Sequence, residues 1–370
     1  MADAEQEYGL SAQHASQRVV APDLPYQPRD PESYSPSIGL IGCGGITEYH
    51  LAAYREAGYA VAALCDIDRE RAESRGKEYY PDAIVTTDFR EILDDPMIDV
   101  VDIATHPKER VSIIQAALEA GKHVLSQKPF VENTVVGEEL VTLANMRGLK
   151  LAVNQNGRWA PHWSYMRHAI DADCIGKVTT ADFSVQWDHN WVADTPFNDV
   201  HHLVLYDFAI HWFDIATVFF APRGPLRVYA ELAKSSTQRA TPPLIAHIAV
   251  DWDGGQATFS FNGDCPHGQR DTTTLVGAKG TLRSEGPTLS DQAVTLYTSE
   301  GEAIPDLKGT WFKQGFHGAM AELLCAIDED REPINSAKNN LASLDLCFAA
   351  VASADAHEPI RVGDVKRMAE

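Results

Sequence analysis

The chain has no long apolar run, no closely spaced cysteine pair and no cluster of basic residues. Without about twenty consecutive apolar residues there is no segment suited to a helix that crosses a bilayer. The six cysteines (Cys43, Cys65, Cys174, Cys265, Cys325, Cys347) are scattered. They read as buried free thiols in a reducing compartment, not as a disulfide framework. Lys and Arg number 31 against 53 Asp and Glu, for a formal net charge of −22. That balance excludes nucleic acid and anionic membrane as expected partners, and the acidity serves solubility. The opening "MADAEQEYGLSAQ" lacks the basic flank and apolar core of a signal peptide, so a cytoplasmic location is expected.

What is present is the composition of a globular protein, 44% hydrophobic and 23% charged over 370 residues. That length exceeds one ordinary core and predicts two domains. Residues 1–37 form a proline-rich arm: "APDLPYQPRDPESYSPS" holds five prolines and excludes regular helix or central strand. It is either a loose tail or an extended arm lying on the body or on a neighbouring subunit. Residues 38–155 alternate short apolar runs ("IGLI", "VAALC", "AIV", "VVDIA", "HVLS", "KLAVN") with helical segments, several closed by glycine. Strand–helix alternation with short links predicts a parallel sheet covered by helices on both faces. Residues 156–370 make the second domain. From about residue 175 longer strands joined by glycine turns predict a largely antiparallel sheet, with "DGG" at 253–255 a hairpin and helices closing the chain.

The sharpest local signal is "IGLIGCGGITEYH" at 38–50. Gly42 permits a tight turn after the first strand. Gly44 and Gly45 let backbone approach a pyrophosphate, and Ile46 opens the helix whose N-terminus offers free N–H groups. Thr47 stands where a third small residue is usual. Asp66 ends the second strand, where a carboxylate accepts hydrogen bonds from ribose hydroxyls and repels a 2′-phosphate. The expected cofactor is therefore NAD, with NADP less favoured.

Lys128-Pro129 follows the fifth strand, at the carboxyl edge where such sheets bind ligands. In "HHLVLYDFAIHWFD" (201–214), Asp207 and His211 are four apart and share a face if the segment is regular helix. With the glycine loop and "ATHP" at 104–107, these motifs resemble the Gfo/Idh/MocA family of NAD(P)-dependent oxidoreductases, over nearly all of 38–360. The resemblance implies an N-terminal Rossmann domain with a doubly wound parallel sheet, and a C-terminal α+β domain with a largely antiparallel open sheet and flanking helices. It implies catalytic roles for Lys128, Asp207 and His211, with Thr105, Gln127 and Lys128 near the nicotinamide. It also implies a carbohydrate or polyol substrate, and a homodimer or homotetramer formed through the exposed face of the second sheet.

The chemistry asks for the same residue types. Alcohol oxidation needs a base such as His211, held in one tautomer by a carboxylate such as Asp207, and a cation such as Lys128 to steady the developing oxyanion. Either His211 or Lys128 can relay the proton. Two departures stand out. Gln127 replaces the usual glutamate before Lys-Pro, which suits a proton-transfer role for Lys128, and Arg110 stands where many relatives carry histidine. On the substrate side, "NQNGRWAPHW" and "WDHNW" offer Asn156, Arg158, Trp159, Trp187, Asp188, His189 and Asn190 as sugar-facing candidates; core packing accounts equally well for Trp159. His189, His201, His202, Asp207 and His211 also have spacings compatible with zinc, but the family mechanism needs no metal and none is expected. The alternative activity is a glycosidase or lyase that oxidises a sugar carbon transiently and regenerates its NAD.

Overall fold

The computed structural model describes residues 17–368. Six parallel strands, β1 (Ser37–Ile41), β2 (Ala60–Cys65), β3 (Ile84–Thr86), β4 (Ile98–Ile103), β5 (His123–Gln127) and β6 (Leu151–Asn154), stand in the order β3-β2-β1-β4-β5-β6. The order reverses between β1 and β4, and this crevice beyond the strand ends is where doubly wound sheets take ligands. Helices α1 (Thr47–Ala57), α2 (Arg69–Tyr79), α3 (Phe89–Leu93), α4 (Pro107–Glu119) and α5 (Thr134–Arg147) make the crossovers. Left-handed glycines stop α1 at Gly58 and α5 at Gly148, each donating its N–H back to the last turn. The polar helix α2 starts where the Asp68 carboxylate accepts the Glu70 N–H.

The second sheet has nine strands, from β7 (Val178–Gln186) to β15 (Ile360–Arg361), with β7, β10 (Gly255–Asn262) and β11 (Arg270–Gly277) at its centre. Only β7 and β10 run parallel; every other neighbouring pair is antiparallel. The expected hairpin joins β9 (Ile245–Trp252) to β10. Burial alternates along the strands, so one face is covered and the other is open. On the covered face Phe183 stacks on Phe259, and helices α6 (Pro161–Asp171) and α7 (Ile210–Phe220) bring down Trp163 and Trp212. Each buried aromatic of this kind contributes roughly 1.5–3 kcal/mol.

The boundary expected at 155/156 does not separate the packing. Helix α8 (Trp311–Asp328) belongs to the C-terminal stretch, yet its Phe316, Met320, Leu323 and Leu324 share a core with Leu40, Leu51, Tyr54 and Leu125 of the first sheet. Tyr49 of α1 stacks on Phe312 at 4.6 Å. Helix α9 (Ala337–Ala356) follows.

The described part of the arm lies on its own body. Tyr165 donates to the Pro22 carbonyl at 3.1 Å, Ser164 to the Tyr26 carbonyl at 2.7 Å, and Asp30 pairs with His317 at 2.7 Å. Residues 1–16 of that arm are outside the described residues. All six cysteines are free; Cys43, Cys65, Cys325 and Cys347 are buried, and Cys174 and Cys265 partly so.

Candidate active site

The glycine loop leaves β1 exactly at the switch point. Gly42 has φ +96°, and a Cβ there would sit 2.9 Å from the Ala104 carbonyl carbon, so both backbone and space require glycine. Gly44 and Gly45 are different: a Cβ on either would meet no atom within 4 Å. Nothing among the described residues excludes a side chain there. The glycines keep open a surface that a pyrophosphate would occupy at the α1 N-terminus. Asp66 accepts the Cys43 N–H at 2.7 Å and the Asp68 N–H at 2.9 Å, so it fastens the loop from behind as well as standing at the end of β2. Ile46 is the half-exposed residue preceding α1.

At the carboxyl end of β5, Lys128 opens a cis Lys128-Pro129 turn. Its Nζ donates to both the carbonyl and the carboxylate of Asp207, each at 2.9 Å. Asp207 does not ride on regular helix. Residues Val204–Phe208 form a single π turn before α7 begins, and the Asp207 carboxylate is taken by Lys128, not by His211. The expected Asp207–His211 hydrogen bond is replaced by the Lys128–Asp207 pair. His211 lies edge-on to Trp311, ring centres 5.8 Å apart, and its Nδ1 has no hydrogen-bond partner among the described residues. Burial, and then the Lys128 charge, hold its pKa well below the ordinary imidazole value. It is therefore neutral at physiological pH, with a lone pair to offer.

Behind the lysine runs a buried relay. The Lys128 N–H donates to Gln127 Oε1 at 2.7 Å, and Gln127 Nε2 donates to His50 Nε2 at 3.0 Å. His50 Nδ1 is 2.7 Å from Asp102 Oδ2, which the Tyr54 hydroxyl also reaches at 2.7 Å. Since the amide of Gln127 needs an acceptor, His50 carries its proton on Nδ1 and donates it to Asp102. Arg110 is also buried and donates to the carbonyls of Thr105, Gln127 and Pro129, which ties the "ATHP" loop to the lysine turn. Burial lowers this guanidinium to about 10. Thr105 beside it keeps a buried hydroxyl without a partner among the described residues.

The substrate-side candidates divide. Trp187 and His189 line a cleft with Phe208 and Trp212, and His189 stacks on Phe208 at 4.1 Å. Burial brings His189 down to about 4, against the opposing pull of Asp188 and Asp207. Asp188 and Asn190 serve the loop itself: Asp188 accepts from the Asn190 backbone and side chain, and Asn190 donates to Asp264. Asn156, Arg158 and Trp159 do not reach the cleft. They form a 3₁₀ turn wedged under α8, where Asn156 accepts from Trp311 Nε1 and Trp159 fills the space beside Gly318. Arg158 makes two bonds, 2.6 and 2.7 Å, to the buried Asp214.

The structure also splits the histidine cluster, with His201 and His202 turning away from Asp207 to Asp355 of α9. Sequence reading missed Trp311, His50 and Asp355. "GITEYH" places His50 on the first helix, but its partner lies 52 residues away and no local pattern announces the pair.

Asp271 of β11 faces the covered side of the sheet, and neither carboxylate oxygen has a partner among the described residues. Burial raises its pKa from 3.8 to about 7. In this case folding binds a proton that the unfolded chain releases, so its stabilising effect is present below pH 3.8 and is lost as pH rises toward 7. Asp271→Asn removes that loss. Chemical denaturation should find the variant more stable at pH 8, by at most about 4 kcal/mol, and the advantage should vanish near pH 4. An equal effect at both pH values would show that the carboxyl acts by shape instead.

Comparison with known proteins places these features together. Residues 37–155 match the family model of the oxidoreductase family with an NAD-binding Rossmann fold, and residues 163–283 match the GFO/IDH/MocA C-terminal domain. A D-apiose dehydrogenase of Paraburkholderia graminis is 26% identical over 337 residues, spanning 85% of this chain and 86% of that protein. An inositol 2-dehydrogenase of Rhizobium meliloti is 25% identical over 329 residues, spanning 85% and 96%. An oxidoreductase from Agrobacterium radiobacter, solved with NAD+, L-tartaric acid and magnesium, superposes with a TM-score of 0.80 at 19% identity, covering 89% of this chain and 99% of that one.

Proposed function

The chain belongs to the Gfo/Idh/MocA family of NAD(P)-dependent oxidoreductases, and from that premise we propose that it oxidises a hydroxyl carbon of a sugar, polyol or sugar acid, using Lys128, Asp207 and His211. The observation that carries this reading is the Lys128 ammonium held at 2.9 Å by Asp207 at the β5 edge, with a neutral His211 on the next helix. NAD would be held by Gly42, Gly44, Gly45 and the α1 N-terminus, with Asp66 toward the ribose and Thr105 and Gln127 toward the nicotinamide. When bound, the nicotinamide supplies the hydride acceptor.

The protein's own groups do the rest. His211, kept neutral by burial and by the Lys128 charge, is in the form that accepts the hydroxyl proton, and the same surroundings make it a weak base that passes the proton on readily. Lys128 donates a hydrogen bond to the substrate oxygen as negative charge develops on it, and Asp207 fixes the ammonium in place beforehand. Trp187 and His189, aromatic and partly exposed beside Phe208, support contact with the C–H patches of a sugar near Asp207. The dehydrogenases of apiose and inositol among the relatives support a polyhydroxylated substrate. The open face of the nine-stranded sheet supports assembly as a homodimer or homotetramer.

The test is absorbance of reduced nicotinamide while protein meets aldoses, inositols and sugar acids with NAD or NADP. A substrate-dependent rise, faster with NAD because of Asp66, is expected. No rise with any member, together with loss of a glycoside from the same wells, would replace this reading with the self-regenerating glycosidase or lyase.

A further inference from the structure

We infer that His201, His202 and Asp355 form a binding site for a divalent transition-metal ion, of which Zn²⁺ is the representative, and that the ion fastens the loop before Asp207 to the end of helix α9. The three side chains offer one ligand atom each, all within 4.8 Å of one another. His201 Nε2 stands 3.0 Å from Asp355 Oδ1, and His202 Nε2 stands 2.8 Å from the same oxygen. Ligands about 2.0–2.2 Å from a zinc ion are about 3 Å apart when the angle between them is near 90°. Both imidazole nitrogens therefore stand at ligand-to-ligand range from one carboxylate oxygen, with all three donors within 4.8 Å. Two imidazoles and one carboxylate are also the donor set that first-row divalent ions prefer.

Three further features favour a cation there. The imidazole rings are only 3.9 Å apart and both turn their Nε2 toward one carboxylate, although consecutive residues usually point apart. His202 holds φ +46° there, an uncommon conformation for a residue other than glycine, although histidine is one of the types that adopt it more often. Asp355 lies in the last turn of a 20-residue helix, where the unsatisfied carbonyls favour positive charge. His201 and Asp355 are half-exposed, which leaves an entry path and room for water in the remaining coordination positions.

The ion would act on the active-site segment through the backbone. The His202 carbonyl accepts the N–H groups of Leu205, at 2.8 Å, and Tyr206, at 3.1 Å, and so begins the π turn that presents Asp207 to Lys128. Anchoring His202 anchors that turn. Neither the site nor its test depends on the proposed dehydrogenase activity, because metal content and melting temperature are read without substrate or cofactor.

The full chain, free of any affinity tag and stripped with a chelator, is titrated with ZnCl₂, desalted and assayed for metal, and its thermal transition is recorded with and without Zn²⁺. A single retained ion per chain and a rise in melting temperature are expected. In Asp355→Asn and His201→Ala, both surface changes, affinity should fall about tenfold or more. Retention by the variants equal to that of the unmodified chain would place the ion elsewhere and overturn the assignment. Absence of retained Zn²⁺ in the unmodified chain would overturn it as well.

Discussion

Lys128→Ala leaves about one hundredth or less of the wild-type turnover, at saturating substrate and cofactor. The ammonium is placed by two bonds to Asp207 and by a backbone that Gln127 and the His50–Asp102 pair secure. Alanine removes the charge without disturbing that scaffold, because the lysine side chain is partly exposed and not in the core. The loss therefore falls on kcat, with a smaller change in KM, as for an interaction strengthened in the transition state. His211→Ala lowers turnover comparably, and the double variant is little worse than either single one if the two groups act as a unit. Steady-state kinetics on all three proteins, with thermal melting as the folding control, decides the matter. Near-normal kcat in Lys128→Ala would remove the lysine from the chemistry.

Arg158→Leu is expected to cost about 3–5 kcal/mol of folding stability. Both ends of the Arg158–Asp214 pair are buried, with side chains 4% and 2% exposed. Asp214 also accepts from Ser343 at 3.1 Å, and Arg158 donates to the Ile334 carbonyl. Removing the guanidinium leaves a buried carboxylate with only neutral donors, the Ser343 hydroxyl and the Asn340 amide, and that unpaired charge, more than the lost attraction, sets the size of the effect. The double variant Arg158→Leu/Asp214→Leu should recover part of the loss, which urea unfolding can measure through a double-mutant cycle. A single variant with unchanged stability but a raised KM would return Arg158 to the substrate pocket.

Arg158 also marks the limit of what the sequence made legible. The strands of the first sheet, the longer strands of the second and the glycine loop were readable because they rest on local periodicity and on a fixed order of residue types. Lys128 was readable because it follows a strand end. What could not be read was any property that depends on a partner far along the chain. Arg158 and Asn156 look like pocket polar groups until Asp214 and Trp311 arrive to satisfy them. The Asp207–His211 pairing could not be judged from spacing because the Asp207 carboxylate is taken by Lys128, 79 positions away along the chain. Asp355 is separated from His202 by 153 positions, beyond the reach of any motif.

Helix α8 carries a consequence for how the molecule is made. The first sheet is complete in strands once residue 154 has been synthesised, yet one of its faces is closed by side chains from 316 to 324. Until the ribosome has released that later helix, Leu51, Tyr54 and their neighbours have no lid and remain a sticky surface on the nascent chain. The two halves are thus obliged to mature together, and a gene cut between them would yield a nucleotide-binding fragment prone to aggregate rather than an independent module.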